Sequence, residues 1–225
     1  MQISVDRTAV LAVDLQGENS AGSVWQVEEY ETVLANAAKT LDAARAAGIP
    51  VIYSRHALDP DGHDAQRYEA RDAEGRPLAS RSDRPDVAIR DEVRPEPGDV
   101  VIDKQRFSAF YGTKLDLLLR QLDAEHLIIL GCWTEACLET TVWDAIWRDF
   151  RITLVRDACG SFNRFAHQVA MLDMANWLYG GQIGDADEVV KGLSGEPFRA
   201  WRFQEPHSLH YTADTVERLY NQLGG

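Results

Sequence analysis

The chain has 225 residues, of which 45% are apolar and 26% charged, a balance typical of a soluble globular protein with one large domain. Its formal net charge of -13 argues against nucleic acid or an anionic membrane as a partner, because an acidic surface repels both. No apolar run approaches the roughly 18 residues of a membrane span. The N-terminus lacks a basic stretch followed by a long apolar run, and the three cysteines are expected to be reduced thiols, so a cytoplasmic protein is predicted.

Short apolar runs along the chain predict strands that are buried on both faces. In chain order, the predicted strands are 8–14, 50–55, 99–103, 126–130, 151–157 and 181–185. Helical spacing of apolar residues predicts helices at 28–47, 114–122, 137–149, 167–179 and 212–223, with Thr212 as the N-cap of the last one. The alternation predicts an α/β fold with three αβα layers, a six-stranded mostly parallel sheet and Rossmann-like topology.

Two segments fall outside this alternation. Residues 56–98 are polar and rich in Asp, Arg, Pro and Gly, and we expect a long excursion with one short helix at most. The pattern also ends after residue 192. We therefore expect one domain at 1–192 and an extension at 193–225, whose aromatic residues predict docking on its own domain or on a neighbouring subunit.

Chemically useful residues lie where the predicted strands end. Open parallel sheets bind ligands outside the carboxyl ends of their strands, which places Asp14, Lys104 and Cys137 near one another. A thiol attacks as a thiolate, which a helix N-terminus and a neighbouring ammonium favour, and a carboxylate can accept its proton. Each residue also has an ordinary structural explanation, since Asp caps loops, Lys is usually solvated and a buried Cys is often a small hydrophobic residue.

At these positions the sequence resembles the isochorismatase-like cysteine hydrolases, a superfamily that includes nicotinamidases, N-carbamoylsarcosine amidases, streptothricin hydrolases and isochorismatase. The matching pieces are "TAVLAVDLQ", "PVIYSRH", "VVIDKQRFSAFYGTKLDLLL", "LIILGCWTEACLETTVWDA" and "ITLVRDACGS". They occur in the order typical of the superfamily and cover roughly residues 6 to 190.

The resemblance implies a catalytic Asp14, Lys104 and Cys137, with Cys137 as the nucleophile. It also implies a cis peptide bond between Cys132 and Trp133, and an oxyanion site formed by the backbone N–H groups of Trp133 and Cys137. The implied activity is hydrolysis of a C–N bond in a small amide, ureide or lactam through a thioester. The alternatives are vinyl-ether hydrolysis of the isochorismatase type and a non-catalytic binding module on the same fold.

The sequence leaves the substrate open, because it departs from the pattern of the superfamily next to the first strand, where "DLQGENS" replaces the usual motif. The residues proposed to contact substrate are Gln16, Trp25, Arg55, Phe110, Tyr111, Trp133 and Phe162. His56 and His63 are expected to be loop residues, one of which could contact substrate, and no metal or cofactor is expected. Cys132 and Cys159 are interpreted as buried thiols, and a homodimer or homotetramer is expected.

Overall fold

The computed structural model describes residues 3–224, which form a central sheet of seven strands flanked by helices. The strands are β1 (Thr8–Val13), β2 (Val51–His56), β3 (Val100–Lys104), β4 (His126–Cys132), β5 (Arg151–Gly160), β6 (Gln182–Gly184) and β7 (Trp201–Arg202). The helices are α1 (Tyr30–Ala46), α2 (Leu115–Gln121), α3 (Glu139–Ile146), α4 (Arg164–Trp177), α5 (Ala186–Leu193) and α6 (Val216–Gln222). No helix in the described part of the chain is both long and apolar enough to cross a membrane.

The strand order is β3-β2-β1-β4-β5-β6-β7, and all neighbours are parallel except β6 and β7. This confirms the predicted α/β fold with a mostly parallel, Rossmann-like sheet. The sheet has seven strands rather than six, because the two residues of β7 pair antiparallel with β6 at the edge. The order of the strands reverses between β1 and β4, which is where such sheets bind ligands.

Close contact between β1 and β4 depends on a glycine. Every residue of both strands is buried, as their unbroken apolar sequences predict. Gly131, the penultimate residue of β4, has a φ of +124°, and a Cβ there would lie 2.0 Å from the carbonyl oxygen of Val13. Only glycine fits this position, and it brings the ends of the two strands together beneath the candidate site.

Helices cover the sheet in two groups. Helix α1 packs with α5 and against β5, while α4 packs with α3 and α6 and also contacts β5. Helix α5 was not predicted, because its eight residues carry only three large apolar side chains. Asp187 and Glu188 in the first turn were an available signal, since acidic residues favour a helix start.

The C-terminal segment contacts its own chain through β7 and α6. Arg156 of β5 donates a hydrogen bond to the carbonyl oxygen of Tyr220 and pairs with Asp185 at 2.8 Å. The prediction that Thr212 is the N-cap of the last helix was wrong. Thr215 is the N-cap, and its hydroxyl oxygen accepts a hydrogen bond from the backbone N–H of Thr212.

The excursion between β2 and β3 contains two short 3-10 turns, at Pro85–Val87 and Asp91–Val93, where one short helix at most was expected. Isolated bridges tie it together and to the loop after β1, for example between Gln16 and Ile89. These bridges hold the long segment against the end of the sheet that it covers.

Candidate active site

Asp14, Lys104 and Cys137 meet at the carboxyl end of the sheet. The Nζ atom of Lys104 lies 2.7 Å from Oδ2 of Asp14 and 3.2 Å from Sγ of Cys137. Asp14 directly follows β1, Lys104 ends β3, and Cys137 lies in a π-helical turn, Thr134–Leu138, between β4 and α3. Three residues that are far apart in the sequence thus form one compact group.

The position of Asp14 is fixed by its neighbours. Its φ of +50° is a left-handed conformation that Asp tolerates better than most residues. The hydroxyl of Ser54, on the intervening strand β2, donates to Oδ1 of Asp14 at 2.8 Å, and the side-chain amide of Asn19 donates to its carbonyl oxygen at 2.7 Å. The carboxylate is therefore held between Ser54 on one side and Lys104 on the other.

Burial governs the protonation of this group. Burial alone would lower the pKa of Lys104, but the Asp14 carboxylate and Cys137 raise it above its usual value, so the ammonium stays charged. Burial raises the pKa of the Cys137 thiol to about 12, which outweighs the opposing effect of Lys104, and Asp14 raises it further. The thiol therefore keeps its proton until a base accepts it, although Lys104 favours the thiolate.

Trp133 is held by polar and aromatic contacts beside Cys137. The peptide bond between Cys132 and Trp133 is cis. The indole N–H of Trp133 lies 3.2 Å from both Oδ1 of Asn19 and the carbonyl oxygen of Trp25. The ring packs edge-to-face on Trp25, with centroids 5.7 Å apart, and is stacked on Phe162 at 5.8 Å. These contacts fix the indole as a rigid wall.

A cavity of about 610 Å³ opens above this group. Three of the proposed substrate contacts, Gln16, Trp25 and Trp133, line it together with Asp14 and Cys137. The remaining lining residues are Glu18, Asn19, Val24, His56, Gln66, Tyr68, Glu69, Ala70, Leu78, Ala79, Ser80, Phe107, Cys132 and Ala136. Its volume is ample for a small amide or a drug-sized molecule.

Four proposed substrate contacts lie outside the cavity wall. Arg55 forms a two-pronged ion pair with Asp103 on the neighbouring edge strand, which uses its guanidinium. Phe110 is only 3% exposed and packs among core side chains, whereas Tyr111 is 65% exposed on the surface. Phe162 supports the outer face of Trp133 rather than lining the cavity itself. For the first three, position after a strand did not predict the direction of the side chain.

Gln16 lines the cavity but its polar atoms serve the fold. Its side-chain N–H groups donate to the carbonyl oxygens of His56 and Val87, and its Oε1 accepts from the N–H of His56 at 2.7 Å. The side chain thereby ties the end of β2 to the excursion. His56 itself faces the cavity, and burial, aided by Lys104, lowers the pKa of its ring to about 4, so the imidazole is neutral.

The excursion supplies cavity residues that the sequence reasoning missed. Glu18 accepts hydrogen bonds from the N–H and the hydroxyl of Ser80, at 3.0 and 2.7 Å, and so anchors the excursion beside the site. Tyr68, Glu69 and Leu78 also line the cavity. The signal available for Glu18 was its position shortly after Asp14, in the loop that follows β1. The long polar loop carried no periodicity that would have identified the others.

The described chain carries other potential metal ligands and thiols besides Cys137. Asp59, Asp61 and His63 bring ligand atoms within 4.8 Å of one another, but none of them lines the cavity, and His63 is hydrogen-bonded to Asp59. Cys132 and Cys159 are buried free thiols, and burial raises the pKa of both well above the usual value. Neither arrangement competes with Cys137 as the reactive position.

Comparison with known proteins agrees with the geometry. Residues 8–188 match the Isochorismatase domain family. Ureidoacrylate amidohydrolase RutB of Rhizobium rhizogenes is 33% identical over an alignment of 174 residues that covers 67% of this chain and 69% of that protein. A cysteine hydrolase from Pseudomonas syringae superposes with a TM-score of 0.77 at 27% identity, covering 87% of this chain and 96% of the other. N-carbamoylsarcosine amidase from Thermoplasma acidophilum superposes at 0.67 with 26% identity, covering 81% and 98%.

Proposed function

The chain belongs to the isochorismatase domain family, and from that premise we propose that it is a cysteine-dependent amidohydrolase acting on a C–N bond of a small amide, ureide or lactam. The observation that carries the proposal is the placement of one ammonium, Lys104, within 2.7 Å of Asp14 and 3.2 Å of the Cys137 sulfur at the floor of a cavity. An amidohydrolase is named among the relatives, which supports the same reaction class.

The first half of the reaction forms a thioester. Because the Cys137 thiol is protonated at rest, its proton passes to Asp14 as the sulfur attacks the carbonyl carbon. The carbonyl oxygen becomes an oxyanion, and the backbone N–H groups of Trp133 and Cys137 are proposed to stabilise it. When the C–N bond breaks, Asp14 returns the proton to the nitrogen, and ammonia or an amine leaves.

The second half regenerates the thiol. Water enters the vacated position, Asp14 accepts one of its protons, and the oxygen attacks the thioester carbon. Breakage of the C–S bond returns the proton to the sulfur of Cys137 and releases the carboxylic or carbamic acid. Throughout the cycle Lys104 remains charged and holds Asp14 and the sulfur at fixed distances.

A substrate panel tests the proposal. Small amides, ureides and lactams are incubated with the protein, and release of ammonia or of a new carboxylate is measured. Turnover of at least one of them is expected, with a loss on the order of 10⁴-fold or more in Cys137→Ala. Cys159→Ala is the matched control that retains the activity, since its buried thiol does not line the cavity. Full activity of Cys137→Ala would refute the nucleophile.

A further inference from the structure

The cavity holds negative charge and no uncommitted positive charge. Asp14, Glu18 and Glu69 line it, and none of its lining residues within the described chain is a lysine or arginine. The one ammonium beneath it belongs to Lys104, whose three N–H groups are directed to Asp14 at 2.7 Å, to the Arg106 carbonyl oxygen at 3.1 Å and to the Cys137 sulfur at 3.2 Å. An ammonium has three donors, so none is left for a carboxylate on a substrate.

Glu18 is a buried carboxylate whose partners are neutral. Both of its hydrogen bonds come from Ser80, whereas a carboxylate accepts about four. Within residues 3–224 no lysine or arginine lies within ion-pair distance of it. Arg84 attracts it only from farther away and is itself paired with Asp86, while Asp14 adds like charge nearby. Buried carboxylates are normally paired. Because Glu18 lines the cavity, a molecule bound there is placed to supply the missing positive charge.

Glu69 adds a second acceptor on the excursion side of the same cavity. Its Oε2 accepts the backbone N–H of Gln66 at 3.2 Å, and the side chain is half-buried. His56 contributes an imidazole that is neutral at neutral pH and whose Nε2 is buried without a protein partner. The charged groups of the wall that remain available to a ligand are therefore two carboxylates, and other polar groups there, such as the His56 ring, the Gln66 amide and the Tyr68 hydroxyl, are neutral.

Large apolar side chains surround these acceptors. Five of the side chains that line the cavity are apolar or aromatic and exposed to solvent: Val24, Trp25, Tyr68, Leu78 and Phe107. Trp133 forms the wall next to Cys137. Aromatic faces attract cations, and an apolar rim suits a substrate with a hydrocarbon or aryl body.

We infer that the substrate is an amide whose body carries an ammonium or guanidinium group, which Glu18 and Glu69 receive while the scissile carbonyl lies against Cys137. This inference deepens the proposed function and rests on it. The same carboxylates disfavour carboxylate-bearing molecules such as ureidoacrylate, the compound in the name of one sequence relative. Shared family membership therefore does not extend to a shared substrate.

Thiol reagents of different charge test the electrostatic preference of the cavity without requiring turnover. Three methanethiosulfonates are used: the cationic trimethylammonioethyl reagent, the neutral methyl reagent and the anionic sulfonatoethyl reagent. The rate of modification of Cys137 is followed by peptide mapping and divided by the rate with 2-mercaptoethanol. We expect a cation-to-anion ratio at least about tenfold above that of the free thiol, because a charged cleft concentrates its counter-ion.

Variants assign the effect to the cavity. Glu18→Gln and Glu69→Gln are each expected to lower the ratio several-fold, and the second remains informative if the first unfolds, since Glu69 does not anchor Ser80. The control, Glu196→Gln with Glu205→Gln, removes the same number of charges as both variants combined, from exposed positions outside the cavity. A ratio equal to that of the free thiol, or one lowered equally by the control, would overturn the inference.

Protection by amides extends the test to substrate-like molecules. 4-(Aminomethyl)benzamide, 4-ethylbenzamide and 4-carbamoylbenzoate share an aryl amide and differ in charge. The cation is expected to protect Cys137 from methyl methanethiosulfonate at a concentration at least about tenfold lower than the anion. Equal or better protection by the anion would refute the inference, whereas amide hydrolysis that survives in Cys137→Ala would refute the proposed function alone.

Discussion

The buried ion pair between Lys104 and Asp14 allows a quantitative test. Lys104 is 0% exposed, and its ammonium lies 2.7 Å from the Asp14 carboxylate. At an effective dielectric of about 20, unit charges 2.7 Å apart attract by about 6 kcal/mol. Removing one partner also leaves the other charge buried, so Lys104→Met is expected to lower the free energy of unfolding by about 3–5 kcal/mol. Asp14→Asn, which keeps a side chain that tolerates the left-handed backbone, is expected to cost a similar amount.

The double variant separates pairing from packing. Because Asp14→Asn with Lys104→Met removes both charges, its cost is expected to fall short of the sum of the two single costs by about 2–3 kcal/mol. Urea unfolding at pH 7, followed by tryptophan fluorescence, measures all four proteins. The exposed pair Lys39 and Asp187, at 3.1 Å, is the matched control, with an expected coupling below about 1 kcal/mol. Additive costs for Asp14 and Lys104 would refute the reasoning.

Three further predictions concern the frame of the site. Gly131→Ala is expected to destabilise the protein by at least about 3 kcal/mol in urea unfolding, because its Cβ meets the Val13 backbone at 2.0 Å, whereas Gly98→Ala, with a φ of +108° and open space, is expected to cost about 1–2 kcal/mol; similar costs would contradict the account. Burial lowers the pKa of His126 to about 4, so the unfolded chain binds its proton first, and stability is lost as pH falls from about 6.5 towards 4. Between pH 7 and pH 5, His126→Gln is expected to lose about 2 kcal/mol less than the wild type, and an equal loss would exclude this histidine as a cause. Removal of residues 194–225 takes α6 away from α4, together with the buried side chains Val216, Leu219 and Tyr220 of α6 and Leu223 just after it. The melting temperature is therefore expected to fall by about 10 °C or more. Unchanged melting would show that the segment does not stabilise the domain.

Apolar runs were enough to predict the sheet, since β1 and β4 are buried on both faces and their sequences contain little else. The parallel alternation then placed Asp14, Lys104 and Cys137 at one end of the sheet. Short elements were beyond this reasoning. The two residues of β7 are too few for a period to be visible, and α5 carries only three large apolar side chains. Strand β7 forms because the edge of β6 is available to it, and α5 packs on α1.

Side-chain direction limited the prediction of the cavity. Arg55 and Phe110 lie close to the site in sequence. Arg55 points instead to the facing carboxylate of Asp103, and Phe110 points into the core. Glu18 lies in the loop after β1, whereas Tyr68 reaches the cavity because the excursion folds back over the sheet, which depends on long-range contacts such as that between Glu18 and Ser80. Local pattern contains no information about such contacts. The protonation of Cys137 likewise depends on burial, which outweighs the nearby ammonium.

The central claim is that Cys137 carries the acyl group during hydrolysis. Intact-mass analysis of the protein, quenched in acid during turnover of an amide from the panel, measures this directly. The account predicts an added mass equal to the acyl group, located on Cys137 by peptide mapping and absent from Cys137→Ala, while Cys159→Ala still forms the adduct. Turnover by Cys137→Ala, or an acyl group found on another residue, would contradict it.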